Sequence, residues 1–543
     1  MFLQRVFSGA LFFWDTMAAQ VRILENSLSA SKQRSKETAF FLVFALIFGV
    51  TVRLFPLLKT DFPLVDGGMF YVMIRDLQAS HFALPIFTTY NQANIPFAYA
   101  PLAFYLSGII HGSLRAPLIS ILKWQPFVTN LLILPVFFLF AKQIVRSGNK
   151  AALATLIFAL TPNSYWWQIV GGGLTRALGA LFFLLTAFCA DKMYRERKSV
   201  WIIATALSGA LSALSHPEWA LQAVTAIALF WFFHGRDRQG ILISVAVGLG
   251  MALLTSPWWI SVIQEHGFVV FFQASQATES RWLFWTTPLT MGFTGERVPI
   301  IAVLAMCGLF IHIAKRDFLL PAWALLSLAV DPRGGVPASI FPFSILAMTA
   351  LSDGIASRLV ETNDDDPPNQ WAGSIRSPIG LFFWGTFMLI LLYGAYTVSS
   401  TLPRHSLDAE ERDATRWAAD HTARTDRFLI LDEYENPLFS PLREWFPALA
   451  NRRSVATVQG SEWLAGEAGY SQQMALNRSL RQCLYQDVQC LNALPIQYDF
   501  ILLSIKSPDG NIRLTPLLLS LEASAGFETA YATPGIRIFK VNE

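Results

Sequence analysis

Stretches of about twenty apolar residues, broken by short charged turns, recur through the first 400 positions and then give way to mixed polar sequence. A helix that crosses hydrocarbon needs roughly 20 apolar residues, so these runs predict about eleven crossings. They fall near 40–58, 124–141, 151–167, 178–190, 200–214, 219–233, 241–256, 298–313, 318–330, 337–355 and 379–398. A further stretch, FAYAPLAFYLSGIIHG at 97–112, is apolar but short, and counting it would invert the charge pattern of every later loop. It is expected to be a re-entrant or interfacial helix. From Thr401 a polar helical stretch (409–421) and strand-like runs at 427–431, 499–504 and 536–541 predict a small α/β domain. The expected fold class is an α-helical polytopic membrane protein with about 11 transmembrane helices and a C-terminal extracytoplasmic α/β domain. Its parts are an amphipathic cytoplasmic or interfacial segment (1–38), a transmembrane domain (39–400) with a long outer loop at 59–123, and the C-terminal domain (401–543).

Charge orients this pattern, because cytoplasmic loops are enriched in Lys and Arg. Lys32, Arg34 and Lys36 precede the first crossing; Lys142, Arg146 and Lys150 follow the second, and Lys192, Arg195, Arg197 and Lys198 the fourth. The N-terminus is therefore expected inside, with the 59–123 loop and the C-terminal domain outside, in a bacterial plasma membrane. Composition agrees: 53% of the 543 residues are hydrophobic, 15% are charged and the mean hydropathy is +0.42, which excludes an ordinary soluble domain. A net charge of +3, with no basic run interleaved with aromatics, argues against a nucleic-acid partner. The apolar stretch 2–17 is interrupted by Asp15 and lacks a small-residue cleavage site, so it reads as an amphipathic helix on the inner surface rather than a signal peptide. Cys189 and Cys307 fall in predicted spans, whereas Cys483 and Cys490 lie where an oxidising compartment would allow a short-loop disulfide.

With this topology the unusual polar residues gather on the outer face: Asp61, Asp66, Asp76, His81, Arg176, His216, Glu218, Glu265, His266, Arg281, Asp331 and Arg333. Ionisable groups at a membrane mouth are read first as functional. A transporter or flippase would need such groups at mid-membrane depth, where almost none are expected here. A non-catalytic scaffold subunit with a partner-binding C-terminal domain remains the other alternative. Asp66 stands before a helical run and is a candidate either for catalysis or for a helix cap. Asp61 is the rival base, and Asp76 reads as structural. Gly171, Gly172 and Gly173 lack a following Lys-Ser/Thr and read as a tight turn rather than a phosphate loop. The stretch from Glu444-Trp445-Phe446-Pro447 to Glu462-Trp463 is aromatic enough for carbohydrate or protein contact, or for ordinary packing. The outer Trp residues Trp258, Trp259, Trp282 and Trp285 suit an interfacial belt.

The first loop carries a resemblance. A span, then an outer loop with Asp66 followed by Phe70 and Tyr71, then Pro101, Leu102, Tyr105 and Leu106 in a Pro-Leu-x-x-Tyr-Leu helix, resembles the C-type (GT-C) membrane glycosyltransferase superfamily. That superfamily includes the protein O-mannosyltransferases and the bacterial aminoarabinose and arabinofuranosyl transferases. Asp66-Gly67 replaces the usual Asp-Glu of the mannosyltransferases, and Tyr99-Ala100-Pro101 replaces their His-Pro-Pro or Pro-Pro, so only the superfamily is named. The resemblance implies an inverting transfer of sugar from a polyprenyl-phosphate donor to a glycan, lipid or protein acceptor, with the first-loop carboxylate as general base. The phosphate calls for a cation able to bind two oxygens at once, which suits Arg. Arg333, in an outer loop just before a span where related enzymes also place a basic residue, is the first candidate, and Arg176 the second. His216, Glu218 and His81 are candidates for acceptor or substrate contact. Asp61, Asp66, His216 and Glu218 could ligate a hard divalent ion, but no ligand spacing is diagnostic and no cofactor is expected.

Overall fold

The structure is a computed structural model that describes residues 38–277, 290–331, 334–359, 374 and 377–542. The predicted amphipathic segment, Trp282, Trp285, Arg281 and Arg333 lie outside the described residues. In chain order the helices are α1 (Thr38–Leu58), α2 (Gly68–Ala79), α3 (Leu102–Leu114), α4 (Leu118–Val145), α5 (Gly148–Leu160), α6 (Gly173–Glu196), α7 (Ser199–Ser215), α8 (Pro217–His234), α9 (Arg238–His266) and α10 (Val269–Gln276). They continue as α11 (Ile300–Ala314), α12 (Leu319–Val330), α13 (Gly335–Thr349), α14 (Pro378–Ser399), α15 (Ala409–His421), α16 (Pro441–Ala450), α17 (Tyr470–Cys483), α18 (Val488–Asn492) and α19 (Pro516–Ala523).

Among the described residues, six helices are long and apolar enough to cross a membrane: α1, α4, α6, α9, α13 with its extension to Leu359, and α14 with its extension to His405. The other predicted crossings fall on helices α5, α7, α8, α11 and α12, of which α5 ends at Leu160 rather than near 167 because Thr161-Pro162 turns the chain into a short 3-10 helix. Helix α3, 13 residues long, is only about 20 Å end to end at 1.5 Å per residue. It packs beside α2. A loop was expected after 256, but α9 continues to His266, so Trp258, Trp259 and Glu265 are helical.

Helix α6 is the axle of the bundle, packing against α4, α7 and α8. The contact with α8 is close: a Cβ at Gly179 would sit 2.7 Å from Trp219 Cδ1 and 3.0 Å from His216 Cβ. The spans are not free of ionisable groups. Arg53 in α1 is fully buried, and its guanidinium donates to Asn130 Oδ1 (2.6 Å), Gly49 O (3.0 Å), Ala159 O (2.7 Å) and Ser164 Oγ (3.0 Å) while stacking over Tyr165. This corrects the expectation of almost no charge inside the spans, but a guanidinium so enclosed is a structural clamp and does not face a pathway.

The C-terminal region holds a five-stranded sheet in the order β4-β3-β5-β7-β6, with β3 (Arg427–Leu431), β4 (Arg453–Ser454), β5 (Phe500–Ser504), β6 (Phe527–Ala532) and β7 (Ile536–Val541). A two-residue hairpin, β1 (Phe87–Thr88) with β2 (Ile95–Pro96), sits in the first loop. Strands β4, β3 and β5 are parallel, β7 adds antiparallel to β5, and β6 pairs antiparallel with β7 at the edge. RFLIL and FILLS are nearly continuous apolar runs because both faces of a central parallel pair are covered. Leu429, Leu431, Ile501 and Leu503 pack beneath α17, α18 and α19. Phe428, Ile430, Phe500 and Leu502 face the other way, into one core shared with Met69, Phe70, Met73 and Phe104 of the first loop. The first loop thus packs on the sheet domain as well as on itself.

Candidate active site

The hinge between bundle and sheet is a cleft, and Asp66 lies at its floor. Leu64 bridges to Ser406, and Val65 (φ 57°) donates to His405 O, which turns the chain so that Asp66 points toward α6. The carboxylate is 5% exposed. Oδ1 accepts the Gly172 N–H at 2.7 Å, and Oδ2 is paired with Arg176 Nη2 at 3.0 Å. Arg176 is fixed in turn: Nε donates to Trp167 O at 3.1 Å and the guanidinium stacks 4.2 Å from the centre of the Trp167 ring. The triple glycine is a tight turn, as expected, but it also cradles the carboxylate. A Cβ on Gly171 would fall on Asp66 O and one on Gly172 on Asp66 Oδ2.

The cleft holds a cavity of about 110 Å³ and is lined by Asp66, Tyr99, Gln168, Arg176, His216 and Glu218, with Gln459, Glu462 and Tyr470 closing it from the C-terminal side. It runs into a second hollow of about 610 Å³ that shares Tyr99, His216, Glu218 and Glu462 and is bordered by Asp331 and Trp463. His216 caps the junction of α7 and α8, with Nδ1 3.8 Å from Glu218 Oε2 and its ring against Tyr99. Asp331 accepts the Gly334 N–H at 2.8 Å, and a Cβ on Gly334 would lie 2.9 Å from Glu218 Oε2. Among the described residues no three His, Cys, Asp or Glu side chains are grouped to hold a metal ion.

The structure therefore brings together four of the predicted site residues, Asp66, Arg176, His216 and Glu218. Two others lie elsewhere. Asp61 is exposed and paired with Arg412 at 2.6 Å, which holds its carboxyl below the usual range and ties the loop to α15. His81 sits at φ 52° in the exposed turn after α2, outside both hollows. Asp76 is structural: it accepts from Thr88 Oγ1, Thr89 N and Thr89 Oγ1. Arg333 is outside the described residues. The missed contributors are Trp167, at the end of a predicted span, Gln168 just beyond it, and Glu444, Gln459, Glu462 and Tyr470. Of these only the Glu444 to Trp463 stretch carried an aromatic signal. Cys483 and Cys490 form the anticipated disulfide.

The architecture, an apolar bundle with an acidic first-loop cleft under a small sheet domain, is the C-type glycosyltransferase fold, and the chain is a multi-pass membrane protein of that fold. The fold is shared with ArnT from Cupriavidus metallidurans bound to undecaprenyl phosphate, at 14% identity over 92% of this chain and 97% of ArnT, TM-score 0.51. Arabinofuranosyltransferase AftD from Mycobacteria is similar at 15% identity and TM-score 0.53; the match covers 92% of this chain and 40% of AftD. No protein-family model and no curated sequence matches the chain.

Proposed function

We propose that the protein is an inverting glycosyltransferase that moves a sugar from a polyprenyl-phosphate donor to an acceptor at the outer face of a bacterial membrane. The observation that carries this reading is the Asp66 carboxylate, aimed into a membrane-mouth cleft by one backbone N–H and one guanidinium. Each carboxylate oxygen has two lone pairs, so Asp66 keeps capacity to accept an acceptor hydroxyl. It removes the proton as the sugar carbon is attacked from the face opposite the departing phosphate, inverting that carbon in a single displacement. The ArnT complex with undecaprenyl phosphate supports a lipid-phosphate donor. Arg333 is the proposed phosphate ligand: its sequence neighbours Asp331 and Gly334 border the two hollows. Arg176 acts chiefly by aiming Asp66. His216 and Glu218 face the acceptor side.

Transfer of labelled sugar from synthetic polyprenyl-phosphate donors tests this. Asp66→Asn is expected to lose about 100-fold or more in turnover with donor binding retained, and Arg333→Ala to weaken donor binding. Parent-like transfer by both variants would move the chemistry elsewhere, and a parent inert with every donor would favour a transporter or a scaffold subunit.

A further inference from the structure

Glu444 lies on α16, 377 positions from the loop residue Gly67 that it touches. It is 5% exposed. Its Oε1 accepts the N–H of Gly67 (3.3 Å) and of Met69 (3.1 Å), and its backbone oxygen accepts the Tyr90 hydroxyl (2.7 Å). Gly68 leaves no gap, since a Cβ there would fall on Glu444 O and lie 3.1 Å from Trp445 Cα. The first N–H groups of a helix have no partner inside it, and an Asp just ahead of the helix is a favoured cap. Helix α2 has none from its own sequence: its N-cap is Gly67 at φ 119°, with no side chain, and Asp66 is turned away to Gly172 and Arg176.

We propose that Glu444 is a positioning residue for the transfer reaction: it caps α2 in the place Asp66 would otherwise take, and so keeps the Asp66 carboxylate turned into the cleft. The inference rests on the reading of Asp66 as the base. The groups facing the Glu444 carboxyl are Asp66 on the loop, Glu462 on the turn beyond β4 and Tyr90 from the hairpin, with Arg176 on the far side of Asp66. Arg443, its neighbour, is engaged by Asp432. Burial, and then the nearby Asp66 charge, push the Glu444 carboxyl up to about 8. When neutral it caps the helix without adding charge beside Asp66. Ionised, it places a second negative charge there.

The test uses the full-length protein in lipid nanodiscs, comparing wild type, Glu444→Gln and Glu444→Ala in transfer assays from about pH 6 to 9.5, with amide hydrogen exchange of the peptide covering 64–72. Wild-type kcat is expected to fall about threefold to tenfold in all between about pH 7 and 9.5. Glu444→Gln keeps the accepting oxygen but cannot ionise, so it should stay within about threefold of wild type at pH 7 and lose that limb. Glu444→Ala should lower kcat about tenfold or more at every pH with donor KM within about twofold. It should also speed exchange at Gly67 and Met69 about tenfold, where Glu444→Gln does not. An alkaline limb persisting in Glu444→Gln, or wild-type turnover and exchange in Glu444→Ala, overturns the proposal. The exchange comparison needs no substrate. A wild type inert with every donor therefore removes the transferase reading, while unchanged exchange in Glu444→Ala removes the cap.

Discussion

Asp66 has two donors and a neighbouring turn with no spare room, so its aim is sensitive to one methyl group. Gly172→Ala would push a Cβ against Oδ2, and because Gly172 has an ordinary φ of −71° the effect is crowding and not backbone strain. Turnover is expected to fall about tenfold or more, since a misplacement near 1 Å costs up to about 100-fold, with donor binding retained in a labelled-lipid assay. A second carboxyl pair sets how stability responds to pH. Glu411 closes the capping box of α15 with Asp408, and burial first, then the Asp408 charge, push it up to about 8. Glu444 is raised to a similar value. Both are neutral in the folded protein where the unfolded chain ionises them. Their stabilisation is complete below about pH 4.5 and is lost as pH rises toward 8. Thermal melts from about pH 5 to 8.5 should therefore decline, and Glu411→Gln should flatten that decline.

Helix α2 begins where no local signal ends it well, and this explains much of what sequence could and could not supply. Apolar runs are local, so the eleven expected crossings each fall on a helix, and the strands RFLIL and IRIFKV lie where their β-branched and aromatic content places them. Strand β6, FETAYA, escaped because its edge position leaves its residues only partly covered, and β4 is two residues long. Asp66, Arg176, His216 and Glu218 were visible as polar residues at the ends of apolar runs. Glu444 was not, because its role exists only when a distant helix arrives. Gly68→Ala tests that arrival, since its Cβ meets Glu444 O; limited proteolysis within the first loop and around α16 should quicken while the bundle stays resistant.

The sheet and the bundle are joined through the loop as well as directly, where Phe439 packs on Trp166 and Trp167. Asn91 exchanges two hydrogen bonds with the backbone of Ser454 (2.9 and 2.7 Å), Gln92 Nε2 donates to Arg424 O and Asn451 O, and Arg412 pairs with Asp61. The Cys483–Cys490 bridge pins the end of α17 to α18 on the opposite face of the sheet. Replacing both cysteines by Ser should lower the stability of the sheet region by about 2 kcal/mol, read as an earlier melting transition. The same long-range closure bears on biosynthesis. Asp66 leaves the ribosome far ahead of Glu444, and at about 5–20 residues per second the interval is roughly 20–75 seconds. During that time the floor of the cleft has no lid and α2 no cap. On the proposed transferase reading, a chain truncated before α16 would be inserted in the membrane yet inert.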